Sequence, residues 1–366
     1  MSFADGDPIE AAEALIAAGR AGEAARGLRA RLAAGRGGLL ARLTLVKALL
    51  AAGDTAGALD EAREAAALNA NVAPAVLALG EALLAASDAN SGALPAAIAE
   101  LQRALRLDPD LAGVRERIAA AWLKAGEAGR ALEILSTLEP SEQAAAMTEA
   151  ARRIQAAPRS DPGYVRHLFD QFSADYDARM IGQLAYAAPQ ILSDLAGMVM
   201  PGREGLDILD LGCGTGLAGL AFRARAARLD GVDLSPAMIE KARARQIYDR
   251  LAVADLETAL AETAPSAVQY DLILAADTLV YLGDLGAVFA GAHARLKPDG
   301  YFLFTVEKAQ GAGYELGPKR RWRHSDAYLR AAAQAAGFSV AGLVAAAPRR
   351  EADQPVDGFA VALAKD

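Results

Sequence analysis

The stretch ILDLGCGTGLAG, residues 208–219, decides how the chain is read. Ile208, Leu209 and Leu211 make a short apolar run of the kind that forms a buried strand. Gly212, Gly214 and Gly216 then fall within five residues, where missing side chains permit positive φ and a close approach of backbone to a ligand. A helix over 217–225 is expected next, its first N–H groups facing a carboxylate or phosphate. A second strand, ARLDGVDL, ends at Asp233, and Ser235 with Pro236 supplies an N-cap and first turn for a helix over 237–245. Asp233 stands 21 residues after Gly212, where an acid accepts hydrogen bonds from a ribose diol.

Two nucleotide chemistries fit this pattern. Gly214, Gly216 and Gly219 satisfy G-x-G-x-x-G, so an NAD-dependent oxidoreductase is one reading. It requires a second mononucleotide half, and no second glycine loop is visible. The longer string, with Asp210 ahead of the glycines, resembles motif I of the class I S-adenosylmethionine-dependent methyltransferases. Residues 251–256 (LAVADL) resemble the end of that family's third strand, 270–277 (YDLILAAD) its fourth, and 296–307 (LKPDGYFLFTVE) the helix-turn-strand of its fifth. AGFSVAGL (336–343) and GFAVALAK (358–365) resemble its final antiparallel pair.

The resemblance implies a Rossmann-like, seven-stranded methyltransferase domain over 206–366 and S-adenosyl-L-methionine as cofactor. It implies that Asp210, Gly212, Cys213, Gly214 and Gly216 form the cofactor loop. Asp233, with Leu234 and Met238 after it, would hold the ribose. Asp255 would accept a hydrogen bond from the adenine amino group, with Leu256 and Ala276 beside the site. Ahead of the domain, the segment 164–186 resembles the F-D-x-x-A-x-x-Y-D helix of many small-molecule methyltransferases through Phe169-Asp170, Phe172-Ser173-Ala174 and Tyr176-Asp177. That likeness implies that Tyr176 lies over the methionine end of the cofactor with Phe172 beside it. Residues 158–205 are accordingly read as linker and lid, beginning at the turn-rich AAPRSDPG (156–163).

The N-terminal half, 1–157, is a repeat. Gly19/Ala24, Gly53/Ala58, Gly92/Ala97 and Gly126/Ala131 share a gap of five, and successive pairs are 34, 39 and 34 residues apart. Each glycine is preceded and followed by an apolar helical pattern, and SDANSG (87–92) is turn-rich enough to hold the longer middle step. Helix, tight turn and helix at this period resemble the tetratricopeptide repeat (TPR), with Leu79-Gly80, Ala97, Ala104, Leu107, Asp108 and Pro109 carrying the likeness. Only Trp122 supplies a large aromatic at the helix-packing position, and SEQAAAMTEAARRIQ after Pro140 reads as a polar capping helix. The resemblance implies an α-solenoid whose groove takes a protein or peptide partner. Repeats followed by a methyltransferase resemble a bacterial family of predicted methyltransferases with tetratricopeptide repeats.

Composition narrows the function further. At 53% hydrophobic and 23% charged, the chain has the apolar material for packed cores and is not a disordered sequence. A net charge of −8 lacks the electrostatic footprint of a nucleic-acid binder. One cysteine, Cys213, and three histidines leave no zinc-ligand spacing, so no metal is expected. An acidic start without an apolar core, and apolar runs too short to span a bilayer, lead to the expectation of a cytoplasmic protein without membrane contact.

Methyl transfer from a sulfonium needs orientation and exclusion of water, and a base only where the acceptor loses a proton. Candidates at the carboxyl ends of the strands are Asp277 and Tyr281 after strand four and His324 after strand five. Each has an ordinary structural alternative: a cap, a packing ring, a solvated helix start. The run 319–323 (KRRWR) is a basic patch for an anionic substrate or a solvated loop. No Asn-Pro-Pro-Tyr or Asp-Pro-Pro-Tyr string follows strand four, which argues against amino-methylation of adenine or glutamine. The expected function is methyl transfer to an unidentified oxygen or nitrogen acceptor, the repeats recruiting a partner or substrate. The rival is a TPR scaffold with a non-catalytic cofactor domain.

Overall fold

In the computed structural model, which describes residues 7–87, 93–173, 175–261, 268–317 and 320–366, the alanine-rich half is a run of helices, several of them joined by glycine turns. These are α1 (Pro8–Ala17), α2 (Ala21–Ala33), α3 (Leu39–Ala51), α4 (Thr55–Leu68), α5 (Ala73–Ala86), α6 (Ala93–Leu107), α7 (Val114–Lys124), α8 (Ala128–Leu135) and α9 (Glu142–Ala156). Gly19, Gly53 and Gly126 end α1, α3 and α7 at φ +73°, +78° and +66°. After each, the next N–H reaches back five residues (Arg20 to Leu15 O, Asp54 to Leu49 O, Glu127 to Trp122 O). This is the Schellman stop, which requires a left-handed residue. Gly92 and residues 88–92 of the expected insertion lie outside the described residues.

The alanines of the period follow from packing. Ala24, Ala58, Ala97 and Ala131 are all fully buried, where one methyl fills the gap between neighbouring helices. Gly80 is tighter still, since a Cβ there would meet Leu101 at 2.8 Å. Each helix packs on the next, and α1, α3, α5, α7 and α9 also meet in series. In α9 only Ala144 and Ala151 are buried, as a terminal helix with a polar outer face requires.

The chain divides into two units, Met1–Ala156 and Ala157–Asp366. In the second, α10 (Pro162–Phe172), α11 (Tyr176–Ala178) and a π-turn precede α12 (Ala188–Val199). The sheet then begins: β1 (Leu206–Leu211), α13 (Leu217–Phe222), β2 (Ala226–Asp233), α14 (Pro236–Ala244), β3 (Arg250–Val253), α15 (Leu256–Leu260), β4 (Tyr270–Ala275), α16 (Gly286–Arg295) and β5 (Leu296–Lys308). It continues through β6 (Tyr314–Leu316), β7 (Trp322–His324), α17 (Asp326–Ala335), β8 (Phe338–Ala346), a small hairpin β9 (Arg350–Glu351) and β10 (Gln354–Pro355), and β11 (Gly358–Lys365).

Sheet order is β3-β2-β1-β4-β5-β11-β8, parallel except for β11, which is antiparallel to both β5 and β8. β1 and β4 are almost wholly buried, as parallel strands covered on both faces must be. The order reverses between β1 and β4, and ligands bind at such switch points beyond the carboxyl ends of the strands.

Two expectations change. The sheet has nine strands rather than seven, because β7 extends the parallel pairing of β5 at Glu307 and Lys308 and β6 folds back on β7. The basic run after strand five is therefore partly strand, not loop; Lys319 lies outside the described residues. The helix after the glycine loop stops at Phe222 and closes with a 3-10 turn, Arg223–Arg225.

Candidate active site

The glycine loop hangs on the tip of β2. The N–H groups of Gly212 and Cys213 both donate to Val232 O, at 2.8 and 3.0 Å. Gly212 is at φ +67°, and a Cβ there would lie 2.3 Å from the Thr278 side chain. Gly214, at φ +54°, has nothing within 4 Å of a notional Cβ, so its backbone faces open space. Asp233 braces this loop: Oδ2 accepts from Gly214 N at 2.9 Å and Oδ1 from Ser235 N at 2.8 Å. A carboxylate offers about four acceptor sites, so capacity is left for a ligand. Burial pushes the Asp233 carboxyl up to about 6 despite those two donors.

Asp210 stands behind the loop, fully buried, its Oδ2 accepting from the Tyr248 hydroxyl at 2.7 Å. Burial raises it to about 7. Tyr248 also explains Gly219, where a Cβ would lie 2.3 Å from the phenol oxygen. The third glycine of the dinucleotide-like spacing makes room for that ring.

A lid covers the loop. Asp161 caps α10, accepting from Tyr164 N at 3.2 Å, with Pro162 as first residue. Phe169 and Tyr176 turn toward the cleft, ring centroids 6.1 Å apart, and Phe169 meets Tyr281 edge-on at 5.6 Å. The two acids of the lid motif hold it down. Asp170 accepts from the hydroxyl of Ser235, which in turn caps α14 by accepting from Met238 N. Asp177 accepts from Thr215 Oγ1 and pairs with Arg245, which also donates to Thr215 O. Ahead of the lid, residues 158–160 form a strap along the segment after β4. Ser160 N donates to Tyr281 O at 2.8 Å, Gly283 N and Asp284 N donate to Pro158 O, and Arg159 bridges Leu282 antiparallel.

The third side is the tip of β4. Asp277 sits at φ +57°, a left-handed conformation uncommon outside glycine, though aspartate is among the residues that adopt it most readily. Its N–H donates to Thr305 Oγ1 at 2.8 Å, and its carboxylate pairs with Arg349. The Arg349 side chain is 1% exposed, and its other nitrogens reach Glu307 and Glu351. Arg321 joins through Glu351 and Glu307. Burial raises the Asp277 carboxyl above its ordinary range, opposed by Arg349 and Arg321.

These parts line one cleft, open to solvent at its mouth. Of the residues expected to bind a nucleoside cofactor, Tyr176, Gly212, Gly214, Asp233, Leu234, Asp255, Leu256 and Ala276 line it, as do Asp277 and Tyr281. The lining fits such a group. Gly214 offers a side-chain-free cradle, Asp233 and Asp255 lie on the cleft wall, and the buried Nε of Arg159 has no hydrogen-bond partner, the kind of orphan donor that a polar ligand satisfies.

Others stand elsewhere. Asp210 and Gly216 lie behind the loop, and Cys213 packs on Ile239 and Ala242, its thiol pushed up by burial. Met238 is buried beneath the turn after Asp233. Phe172 does not lie beside Tyr176: it closes α10 at 37% exposed with the Arg179 guanidinium over its ring, and Phe169, one turn earlier, takes that position. His324 is fully buried on β7, its Nε2 3.0 Å from Gly283 O and its ring stacked on Tyr328. Burial lowers it to about 4, and it is absent from the cleft wall.

Arg159, Thr278 and Arg349 escaped the sequence reading. The Pro-Arg-Ser-Asp-Pro run signalled only a linker, and Arg349 is 72 residues from its partner Asp277.

Comparison with known proteins agrees with this geometry. Residues 209–302 match the family described as a methyltransferase domain. The chain is 36% identical over 118 residues to human Methyltransferase-like protein 27, covering 31% of this chain and 48% of that protein. It is 32% identical over 137 residues to malonyl-[acyl-carrier protein] O-methyltransferase of Serratia marcescens, covering 36% and 51%. The chain thus spans about half the length of these curated relatives. Among solved structures it is similar to the 1,6-didemethyltoxoflavin-N1-methyltransferase of Burkholderia thailandensis, at 22% identity, 57% of this chain, 92% of that one and a TM-score of 0.44. The sheet unit of this chain therefore carries, over residues 209–302, a match to the methyltransferase domain family.

Proposed function

We propose that the chain transfers a methyl group from S-adenosylmethionine to a small-molecule, carrier-bound or protein acceptor, and that the helical unit is a tetratricopeptide solenoid recruiting that acceptor or a partner. The observation that carries the enzymatic reading is the convergence of Gly212, Gly214, Asp233 and Asp255 on one cleft with Tyr176, Phe169 and Tyr281 across from them. When bound, the cofactor supplies a methyl group already activated on a sulfonium. The chain's part is to hold and enclose. Gly214 and Asp233 are placed for the amino-acid and ribose portions, and Asp255 for the base. Phe169 and Tyr176 exclude water, which strengthens every polar contact beneath them. Asp277, raised by burial, is suited to take a proton from a hydroxyl acceptor. Oxygen acceptors are the first to try, since several relatives are named O-methyltransferases.

The recurring Schellman glycines and the serial packing of the odd-numbered helices support the solenoid reading. The single cysteine and the lack, among the described residues, of any helix long and apolar enough to cross a membrane are consistent with a cytoplasmic setting.

Calorimetry with S-adenosylhomocysteine and NAD tests the cofactor: micromolar binding of the first and none of the second is expected, and a preference for NAD overturns the reading. Incubation with methyl-labelled donor and fractionated extract tests the activity. Cofactor binding without label transfer to any fraction would favour a scaffold with a non-catalytic domain.

A further inference from the structure

The acid placed for the nucleobase does not stand alone. Asp255 caps α15, its Oδ1 accepting from Glu257 N at 3.0 Å, while its Oδ2 is gripped by Arg159 at 2.5 Å. The other arm of the same guanidinium holds Glu257. One arginine therefore bridges two carboxylates, and both Arg159 and Asp255 line the cleft. The side chains of Arg159, Asp255 and Glu257 are 25%, 20% and 32% exposed, enough shielding for their charges to matter.

Arg159 is delivered by backbone geometry. The strap residues on either side of it, Pro158 and Ser160, are tied to the segment Tyr281–Asp284 by main-chain hydrogen bonds. A Cβ at Gly283 would meet Pro158 O at 2.8 Å, so the strap sits flush against that turn. The backbone at Arg159 cannot drift without breaking these bonds.

Asp255 and Glu257 are like charges two positions apart, and the cap bond from Glu257 N holds only Oδ1 of the first. A planar guanidinium with two forward-pointing donors satisfies both at once, which a point charge cannot. We propose that Arg159 is a positioning residue of the base subsite. By bridging Glu257 and Asp255 it keeps the Asp255 carboxylate turned into the cleft to accept the amino group of adenine. The preference for adenine thus depends on a residue of the linker, three positions after the helical unit ends. This rests on the S-adenosylmethionine reading above.

The test is calorimetric, on the full chain, with S-adenosylhomocysteine and with S-inosylhomocysteine, in which a carbonyl oxygen replaces the amino group. Arg159→Met is expected to weaken S-adenosylhomocysteine roughly five- to tenfold and to leave S-inosylhomocysteine within twofold, so the preference for adenine narrows. Arg159→Lys restores part of the loss, because an ammonium can still pair with Asp255. In an Asp255→Asn background, Arg159→Met adds nothing further, as coupled residues require. Equal weakening of both ligands would mean that the strap merely holds the cleft together, and would overturn the proposal; so would unchanged binding of S-adenosylhomocysteine. If the unmodified chain binds neither ligand, the cofactor reading itself fails and takes this one with it.

Discussion

At the floor of the cleft, Gly212 and Gly214 are held by their own N–H groups, which end on Val232 O and on the Asp233 carboxylate. At the roof, Phe169 and Tyr176 are held by side chains, Asp170 on Ser235 and Asp177 on Thr215 and Arg245. The floor joins two buried strands, whereas α10 has no buried residue at all. A backbone-held floor tolerates no change of residue but is fixed before any ligand arrives. A roof latched by a few side-chain polar contacts, on a helix with no buried residue, can open and admit a nucleoside. Asp277 stands between them, fixed by a third device, a buried ion network.

That network gives the largest expected effect. Arg349→Met leaves Asp277, Glu307 and Glu351 gathered around an apolar side chain. Removing one partner of a buried charge cluster costs about 3–5 kcal/mol. A fall in melting temperature on the order of 10 °C is expected, measured by thermal denaturation. A loss under 1 kcal/mol would show that water reaches the acids and that Asp277 is not held as described.

The floor comes next. Gly212→Ala places a methyl 2.3 Å from Thr278 on a residue at φ +67°, combining overpacking with backbone strain at about 2–4 kcal/mol. Binding of S-adenosylhomocysteine should fall at least a hundredfold. If Thr278→Ala restores it, the clash dominates; if not, the backbone conformation does.

The difference between floor and roof also decides what could be read from sequence. The floor was legible because its requirements are local: Gly212, Gly214, Asp233 and the Ser235-Pro236 cap lie in two short stretches, each demanding a particular residue type for a backbone reason. The recurring helix stops were legible likewise, since Gly19, Gly53 and Gly126 each end a helix in the same way. The strap and the ion network were not. Arg159 and Arg349 matter only because the fold brings the linker and the segment before β9 against the strand tips, and an arginine in a loop carries no local sign of that. Phe172 and Phe169 share a helical spacing, and only the stop at Phe172 separates the one that faces the cleft. His324 was a candidate because it follows strand five at the carboxyl end of the sheet; pairing of β7 with β5 buries it instead.

The roof should respond weakly. Asp170→Asn keeps the shape of the latch and removes its charge, which costs about 1 kcal/mol of charge-assisted hydrogen bonding. Affinity for S-adenosylhomocysteine should fall about fivefold with little change in melting temperature, since α10 contributes no buried residue to the core. A drop in stability matching that of Gly212→Ala would mean that lid and floor form one cooperative unit, and the contrast between them would dissolve.

The smallest effect probes the floor from beneath through pH. Asp233 and Asp210 titrate at about 6 and about 7 in the folded chain, above the value near 3.9 of an unfolded aspartate. Because the folded values are raised, their contribution to stability is complete below pH ~4 and is lost as pH rises through 6 and 7. Asp210→Asn removes the Asp210 share of that loss, and Asn can still accept from Tyr248. It should stabilise the ligand-free protein on the order of 1 kcal/mol at pH 8, with the gain shrinking toward pH 5. Ligand binding runs the opposite way, because Asp233 must be ionised to accept from a ribose. The rise in melting temperature caused by S-adenosylhomocysteine should be larger at pH 8 than at pH 5. Parallel trends for the two quantities would place the titrating acid outside the ligand's contacts and leave Asp233 as a brace for the glycine loop alone.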